Sequence, residues 1–110
     1  MENNIFILKD ILPDLTEEIK QSFLKHNRTD LYEQVDKLKI VSLCDCGEKT
    51  CGSFYTMIPP NEDDDCEVEG FIISDGNIAV EMYEGKIGYI EILPSHFGYK
   101  VHKILEELLN

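Results

Sequence analysis

Residues 68–93, VEGFIISDGNIAVEMYEGKIGYIEIL, decide the fold of this chain. Three runs in this stretch are rich in β-branched and aromatic residues, which is typical of strands. They are separated by DGN at residues 75–77 and EGK at residues 84–86, and both separators contain residues that accept the positive φ of a hairpin turn. Connections this short force neighbouring strands to run antiparallel. We therefore predict a three-stranded meander, with strands over residues 68–74, 78–83 and 87–93.

Two further strands are predicted before the meander. Residues 37–44, KLKIVSLC, are rich in β-branched residues and partly alternate between polar and apolar side chains. Residues 53–58, SFYTMI, read as a second strand, which Pro59 and Pro60 end because proline donates no ladder hydrogen bond. Together with the meander, these runs predict an antiparallel sheet of about five strands.

Helices are predicted before the sheet. A buried stripe at helical spacing consists of Leu15, Ile19 and Phe23. Asp14 is the predicted cap of this helix and Asn27 its stop. A second, short helix is predicted from Thr29 or Asp30. The opening IFIL at residues 5–8 is compatible with a strand or a helical turn, and we favour the helix.

A further helix is predicted after the sheet, with Ser95 as its N-cap. Its predicted inward face consists of Phe97, Val101, Ile104, Leu105 and Leu108. Strands grouped together with helices at the two ends make an α+β architecture, in which the helices cover one face of the sheet. A chain of 110 residues suits one domain, and we predict a single domain over residues 1–110.

The charge of the chain is strongly negative and unevenly spread. The 22 Asp and Glu against 10 Lys and Arg give a formal net charge of −12. This charge argues against non-specific binding of nucleic acid or anionic lipid. No apolar stretch is long enough to cross a membrane, and the N-terminus lacks the pattern of a secretory signal, so we expect a cytoplasmic protein.

Three quarters of the net charge lies in residues 61–91, which contain ten acidic residues and one basic residue, a net charge of −9. The densest part of this stretch is residues 61–67, with five acidic residues among seven. This run repels itself, so three interpretations remain for it: a solvated loop, a surface for a basic protein partner, or a calcium or magnesium site. The ligand spacing and glycine of an EF-hand loop are missing, which weakens the metal interpretation. The residues predicted to contact a basic partner are Glu62, Asp63, Asp64, Asp65, Glu67 and Glu69.

The four cysteines of the chain lie close together in sequence. They are Cys44, Cys46, Cys51 and Cys66. Four thiolates at about 2.3 Å from one ion would form a closed tetrahedral zinc site, with His96 or His102 as substitutes for Cys66. The C-x-C spacing is shorter than that of the usual zinc knuckle. Two alternatives therefore stay open: reduced cysteines packed beside a tight turn, and a disulfide or redox role.

Nothing in the sequence indicates an enzyme. The chain lacks a glycine-rich phosphate loop, a serine elbow and a dinucleotide fingerprint. Asp45 and Glu48 beside the cysteines would raise thiol pKa values, which disfavours nucleophilic thiol chemistry. We expect a non-enzymatic protein with no assigned cofactor, unless the cysteines bind zinc.

The cysteine motif carries a resemblance to a group of proteins. Residues 44–55, CDCGEKTCGSFY, followed by IEIL at residues 90–93, resemble small, mostly uncharacterised bacterial proteins with a C-x-C-G-x3-C-G-S-F-Y motif. Some small acidic proteins of this kind are encoded next to polymorphic toxins and serve as their immunity proteins. The resemblance implies no catalytic or binding residue.

Two functions follow as expectations. The first is an acidic protein-binding module, such as an immunity protein or inhibitor that masks a basic partner, for example a nuclease toxin. The alternative is a small domain of unknown role with a structural zinc site at the cysteines. The sequence leaves the oligomeric state open.

Overall fold

The computed structural model describes residues 6–44, 46–58, 67–73 and 77–109. Helices lie at both ends of the chain and strands between them, as predicted. The helices are α1 (Leu8–Ile11), α2 (Pro13–Lys25), α3 (Thr29–Val35) and α4 (His96–Leu109). The strands are β1 (Ser42–Leu43), β2 (Phe54–Tyr55), β3 (Val68–Ile73), β4 (Ile78–Tyr83) and β5 (Lys86–Ile92).

The five strands form one antiparallel sheet in the order β1-β2-β5-β4-β3. The predicted meander is confirmed, because β3 pairs with β4 and β4 with β5. β5 is central and joins the meander to the short β1–β2 pair through β2. A register shift between Glu81 and Met82 interrupts the β4–β5 ladder. The predicted α+β class, with a sheet of five strands, is confirmed.

The two early strands are shorter than predicted. Within residues 37–44, Lys39 forms an isolated bridge with Ile7, and the Ile40 amide donates to the Phe6 carbonyl at 2.8 Å. The start of this run therefore pairs with the beginning of the chain, and only its later part enters the sheet. The same pairing corrects the helix predicted over residues 5–8: Phe6 and Ile7 are not helical, and α1 begins at Leu8, while residue 5 lies outside the described residues.

Helix α2 carries the predicted buried stripe. Its members Leu15, Ile19 and Phe23 are all buried. The predicted cap is wrong: α2 begins at Pro13, which suits a first helical position because its φ is fixed and its missing N–H needs no partner. Asp14 therefore lies inside the first turn. The predicted stop is confirmed, since Asn27 adopts a φ of 59° just beyond the helix end.

The register divides the sheet into two faces. One face is buried in the core under the helices, and its members include Phe54, Ile73, Ile78, Val80, Ile90 and Ile92. On the opposite face, Tyr55 lies beside Tyr89, and Glu81 lies across from Tyr89. These side chains are half-buried, as is Glu91 on the same face. The sequence region with the cysteines joins β1 to β2 at the edge next to this open face.

Helix α4 begins as predicted. The Ser95 hydroxyl accepts a hydrogen bond from the Gly98 amide at 2.9 Å, which is the geometry of an N-cap. Val101 and Leu105 are buried, but Phe97 and Ile104 are 42% and 43% exposed, so the predicted inward face was too wide. The helix approaches the residues before β2 on the side of Gly98 and Val101. Phe97 and Ile104 line an open hollow together with residues 11–15. In the described ranges, no helix is long and apolar enough to cross a membrane.

Candidate metal centre

Three of the predicted cysteines come together in space. The sulfur atoms of Cys44, Cys46 and Cys51 all lie within 4.8 Å of one another. Cys44 follows β1 and Cys51 precedes β2, so the antiparallel pairing of these strands brings the two ends together. The Cys44 amide donates to the Ser53 carbonyl at 3.0 Å and extends this pairing into the connection. We call residues 44–53 the cysteine loop.

Two glycines let the cysteine loop adopt its path, each for a different reason. Gly47 follows Cys46 and has a φ of 75°, a conformation that side chains rarely adopt. Gly52 follows Cys51 and lies against helix α4, where an added Cβ would be 2.9 Å from the Gly98 carbonyl oxygen. The two Cys-Gly pairs of the sequence therefore form a turn and a close backbone approach.

The cysteine loop is anchored to the start of α4. The Ser95 amide donates to the Thr50 carbonyl at 3.2 Å. A Cβ at Gly98 would overlap with the same Thr50 carbonyl, so only glycine permits this approach. Inside the loop, the Cys51 amide donates to the Glu48 carbonyl at 3.2 Å. The sulfur cluster is therefore held by the sheet on one side and by a helix end on the other.

Hydroxyl groups contact two of the three sulfurs. The Tyr89 hydroxyl donates to Cys44 Sγ at 3.5 Å, and the Cys51 thiol donates to Ser53 Oγ at 3.3 Å. Ser53 is 1% exposed and accepts a hydrogen bond from the Ile92 amide at 2.8 Å. Strand β5 thus fixes both hydroxyl groups beside the sulfurs.

The surroundings of the Tyr89 hydroxyl favour its protonated form. Burial raises the pKa of Tyr89 well above its ordinary value, and the hydrogen bond with Cys44 raises this pKa further. The Tyr89 ring lies 4.6 Å from the Tyr55 ring, centroid to centroid, which restricts its orientation. Tyr89 is therefore a fixed hydrogen-bond donor toward Cys44.

The cysteines line a hollow of about 400 Å³. Its wall includes the three cysteines, Glu48, Ser53, Tyr89, Glu91 and residues 92–94. Cys46 is exposed, whereas Cys44 and Cys51 are half-buried. All three are free thiols, so no disulfide links them in this structure. The arrangement offers three soft ligands on one side of a space that opens to solvent.

The predicted fourth ligands do not join this group within the described residues. Cys66 lies outside those residues. His102 Nε2 lies 3.2 Å from a Glu106 carboxylate oxygen on α4. His96 lines a different hollow, together with Glu18 and Asn77. Within the described residues, the group that could hold a metal ion consists of these three cysteines.

Of the six acidic residues predicted to bind a basic partner, the structure describes two. Glu62, Asp63, Asp64 and Asp65 lie outside the described residues. Glu67 is exposed just before β3. Glu69 pairs with Arg28 at 2.9 Å, and the hydrogen bond from Arg28 lowers the pKa of Glu69. Glu69 is exposed and already forms an ion pair within the chain. The basic-partner hypothesis stays a prediction.

Sequence reasoning missed Tyr89, Ser53 and Glu91 at this site. Tyr89 is far from the cysteines in sequence and reaches Cys44 only through the order of the strands in the sheet. The alternation of β5 would have placed Tyr89 and Glu91 on one face, but not beside the cysteine loop. No protein-family model, curated protein or solved structure matches this chain. The resemblance of the cysteine motif therefore stays an interpretation of the sequence.

Proposed function

We propose that this chain is a small zinc-binding domain in which Cys44, Cys46 and Cys51 hold the metal. The observation that carries the proposal is the 4.8 Å limit on the separation of their sulfur atoms. In a tetrahedral zinc site, bonds of about 2.3 Å place sulfurs about 3.8 Å apart. A contraction of about 1 Å would bring the cysteines to this spacing. Cys46 is exposed and can move by that amount without disturbing the core.

The choice of zinc rests on ligand type and charge. Soft thiolates favour zinc, copper(I) and iron–sulfur clusters over hard cations such as magnesium. Three thiolates leave a net charge of −1 with Zn²⁺ and −2 with Cu⁺. Glu48 and Glu91 line the same hollow in a chain of net charge −12, and their repulsion disfavours the more negative complex. Zinc is therefore the better match to these surroundings.

The metal would act on the stability of the cysteine loop. Residues 46–49 are exposed and contribute no apolar side chain to the core. A zinc ion would fix this loop against β1, β2 and the start of α4, and the free energy of zinc binding would add to the free energy of folding. The hydroxyl of Tyr89 would then donate to a metal-bound thiolate, as outer hydrogen bonds do in zinc sites.

Native mass spectrometry tests this proposal on chain purified with reductant and without chelator. We expect one zinc ion per chain, and a lower unfolding temperature after chelation. The Cys51→Ser variant is expected to lose zinc affinity by about 100-fold or more, because it removes a ligand. Lys49→Ala is the matched control, since Lys49 is exposed in the same loop and offers no thiol. A metal-free chain whose stability is indifferent to added zinc would contradict the proposal.

We also propose, on the charge of −9 in residues 61–91, that an acidic surface binds a basic partner protein. An immunity protein that masks a nuclease toxin is the form suggested by the resemblance. Asn substitutions at residues 63–65 should slow association with such a basic protein and flatten its dependence on salt. Stopped-flow association rates measure this effect, and unchanged rates would remove the proposal.

A further inference from the structure

We propose that the fourth position of the metal centre is open and accepts a neutral nitrogen donor, of the imidazole class, from outside the chain. This inference rests on the proposed zinc site and goes beyond its structural role. Sites with four protein ligands are closed, whereas three protein ligands leave one position for water or another molecule. We assign the three-cysteine group to the sites with three protein ligands, in which no further side chain of the chain binds the metal.

The hollow beside the sulfurs supports an open position. The three cysteines form one part of its wall, and Tyr89, Glu91 and Pro94 form another, around a volume of about 400 Å³. This volume is far larger than one water molecule requires. A metal held by the three sulfurs would therefore border a space that a planar five-membered ring can enter.

Within the described residues, no other His, Asp or Glu side chain belongs to the sulfur cluster. The Glu48 carboxylate accepts a hydrogen bond from the Thr50 hydroxyl at 3.2 Å, within the cysteine loop. His102 lies next to Glu106, and His96 lines another hollow. Neither histidine is part of the sulfur cluster in the described residues.

Cys66 is disfavoured by charge. It is flanked in sequence by Asp65 and Glu67, at the end of a run of acidic residues. A fourth thiolate would raise the net charge of the complex from −1 to −2, and the neighbouring carboxylates would add to the repulsion. A neutral donor leaves the charge of the complex at −1.

The same charge argument selects the class of outside ligand. Glu48 and Glu91 line the hollow, so an anion such as azide or a free thiolate enters a negative space. Neutral imidazole meets no such repulsion and is a common ligand of zinc. A histidine side chain of a partner protein would present this group.

The test uses the full chain loaded with cobalt(II), whose visible spectrum reports the ligands of a tetrahedral site. Imidazole and azide are titrated separately at about pH 8, where imidazole is mostly neutral. We expect imidazole to change the cobalt spectrum at a concentration at least tenfold lower than azide does. Glu91→Gln should reduce this ratio, because it removes one of the charges that repel the anion.

Cys66→Ser separates an open centre from a closed one. We expect this variant to bind cobalt and zinc within about twofold of the parent chain and to keep the response to imidazole. A loss of affinity as large as that of Cys51→Ser, together with a spectrum that ignores imidazole, would overturn the open position and leave the zinc site standing. Failure of the parent chain to bind either metal would overturn both. Equal responses to azide and imidazole would overturn the choice of a neutral donor.

Discussion

The meander and the cysteine loop are stabilised in different ways, although they belong to one sheet. Strands β3, β4 and β5 pair over six or seven residues each, and alternate side chains of β4 and β5 are buried. The cysteine loop lies between two strands of two residues each and is held by backbone hydrogen bonds, glycine contacts and hydroxyl–sulfur contacts. Burial of apolar side chains stabilises the meander, whereas hydrogen bonds and close backbone contacts stabilise the cysteine loop. Substitutions can therefore perturb one region without the other.

The largest effect is expected from Ile90→Ala, in the meander. Ile90 is 0% exposed and lies between Phe54 of β2 and Val80 of β4, so its truncation leaves a cavity where the two regions join. We expect a loss of about 2–5 kcal/mol in the free energy of unfolding, with or without zinc. Urea denaturation measures this loss. The control is Ile72→Ala, because Ile72 is 71% exposed on the open face; a similar loss there would contradict the comparison.

Gly98→Ala tests the contact between the cysteine loop and α4. The new Cβ would overlap with the Thr50 carbonyl, so the loop and the helix would have to separate. We expect a loss of about 1–3 kcal/mol in stability and weaker zinc binding, measured by thermal unfolding and by competition with a chelator. Gly70→Ala is the matched control, since a Cβ there would meet nothing within 4 Å. Unchanged zinc affinity in Gly98→Ala would show that zinc binding does not depend on the contact between the cysteine loop and α4.

Tyr89→Phe should act on the cysteine loop alone. It removes the hydroxyl that donates to Cys44 and keeps the ring beside Tyr55. We expect zinc affinity to fall by about 10–100-fold, while stability without metal changes little. Tyr99→Phe serves as the control on an exposed tyrosine.

Glu69→Gln is expected to give the smallest effect, through the ion pair that ties β3 to Arg28. The pKa of Glu69 is lowered by Arg28, so the pair stabilises the fold above the ordinary pKa of 4.5, and this contribution is lost as the pH falls through the folded pKa. At acidic pH, the parent chain should therefore lose its small excess of stability over the Glu69→Gln variant. Thermal unfolding between neutral and acidic pH measures the difference. Glu33→Gln, at an exposed position, is the control: its difference in unfolding temperature from the parent chain should not change with pH in this way.

Local patterns predicted the meander, but they could not predict contacts that depend on the order of the strands. Alternating apolar residues and the turn glycines were sufficient for β3, β4 and β5. Phe6 and Ile7 were mispredicted because their partner, residues 39–40, lies far along the chain. The periodicity of α4 identified Val101 and Leu105 as buried, but it also predicted burial of Ile104, which is 43% exposed.

The clustering of three cysteines was predicted from the sequence, and the groups around them were not. The spacing of Cys44, Cys46 and Cys51 indicated a shared cluster, which their sulfur positions bear out. Tyr89 could not be found in the same way, because its contact with Cys44 requires β5 to lie next to β2. Cys66 stays a prediction, since it lies outside the described residues.

The close approach of Gly52 and Gly98 has a consequence for the evolution of this chain. Each glycine lies where the backbone of the other segment leaves no room for a side chain. A larger residue at either position displaces the same loop from the same helix. We therefore expect any single substitution at one of them to lower the stability of the fold. In a lineage of related chains, residues 52 and 98 are expected to remain glycine together or to change only when the loop and the helix shift apart.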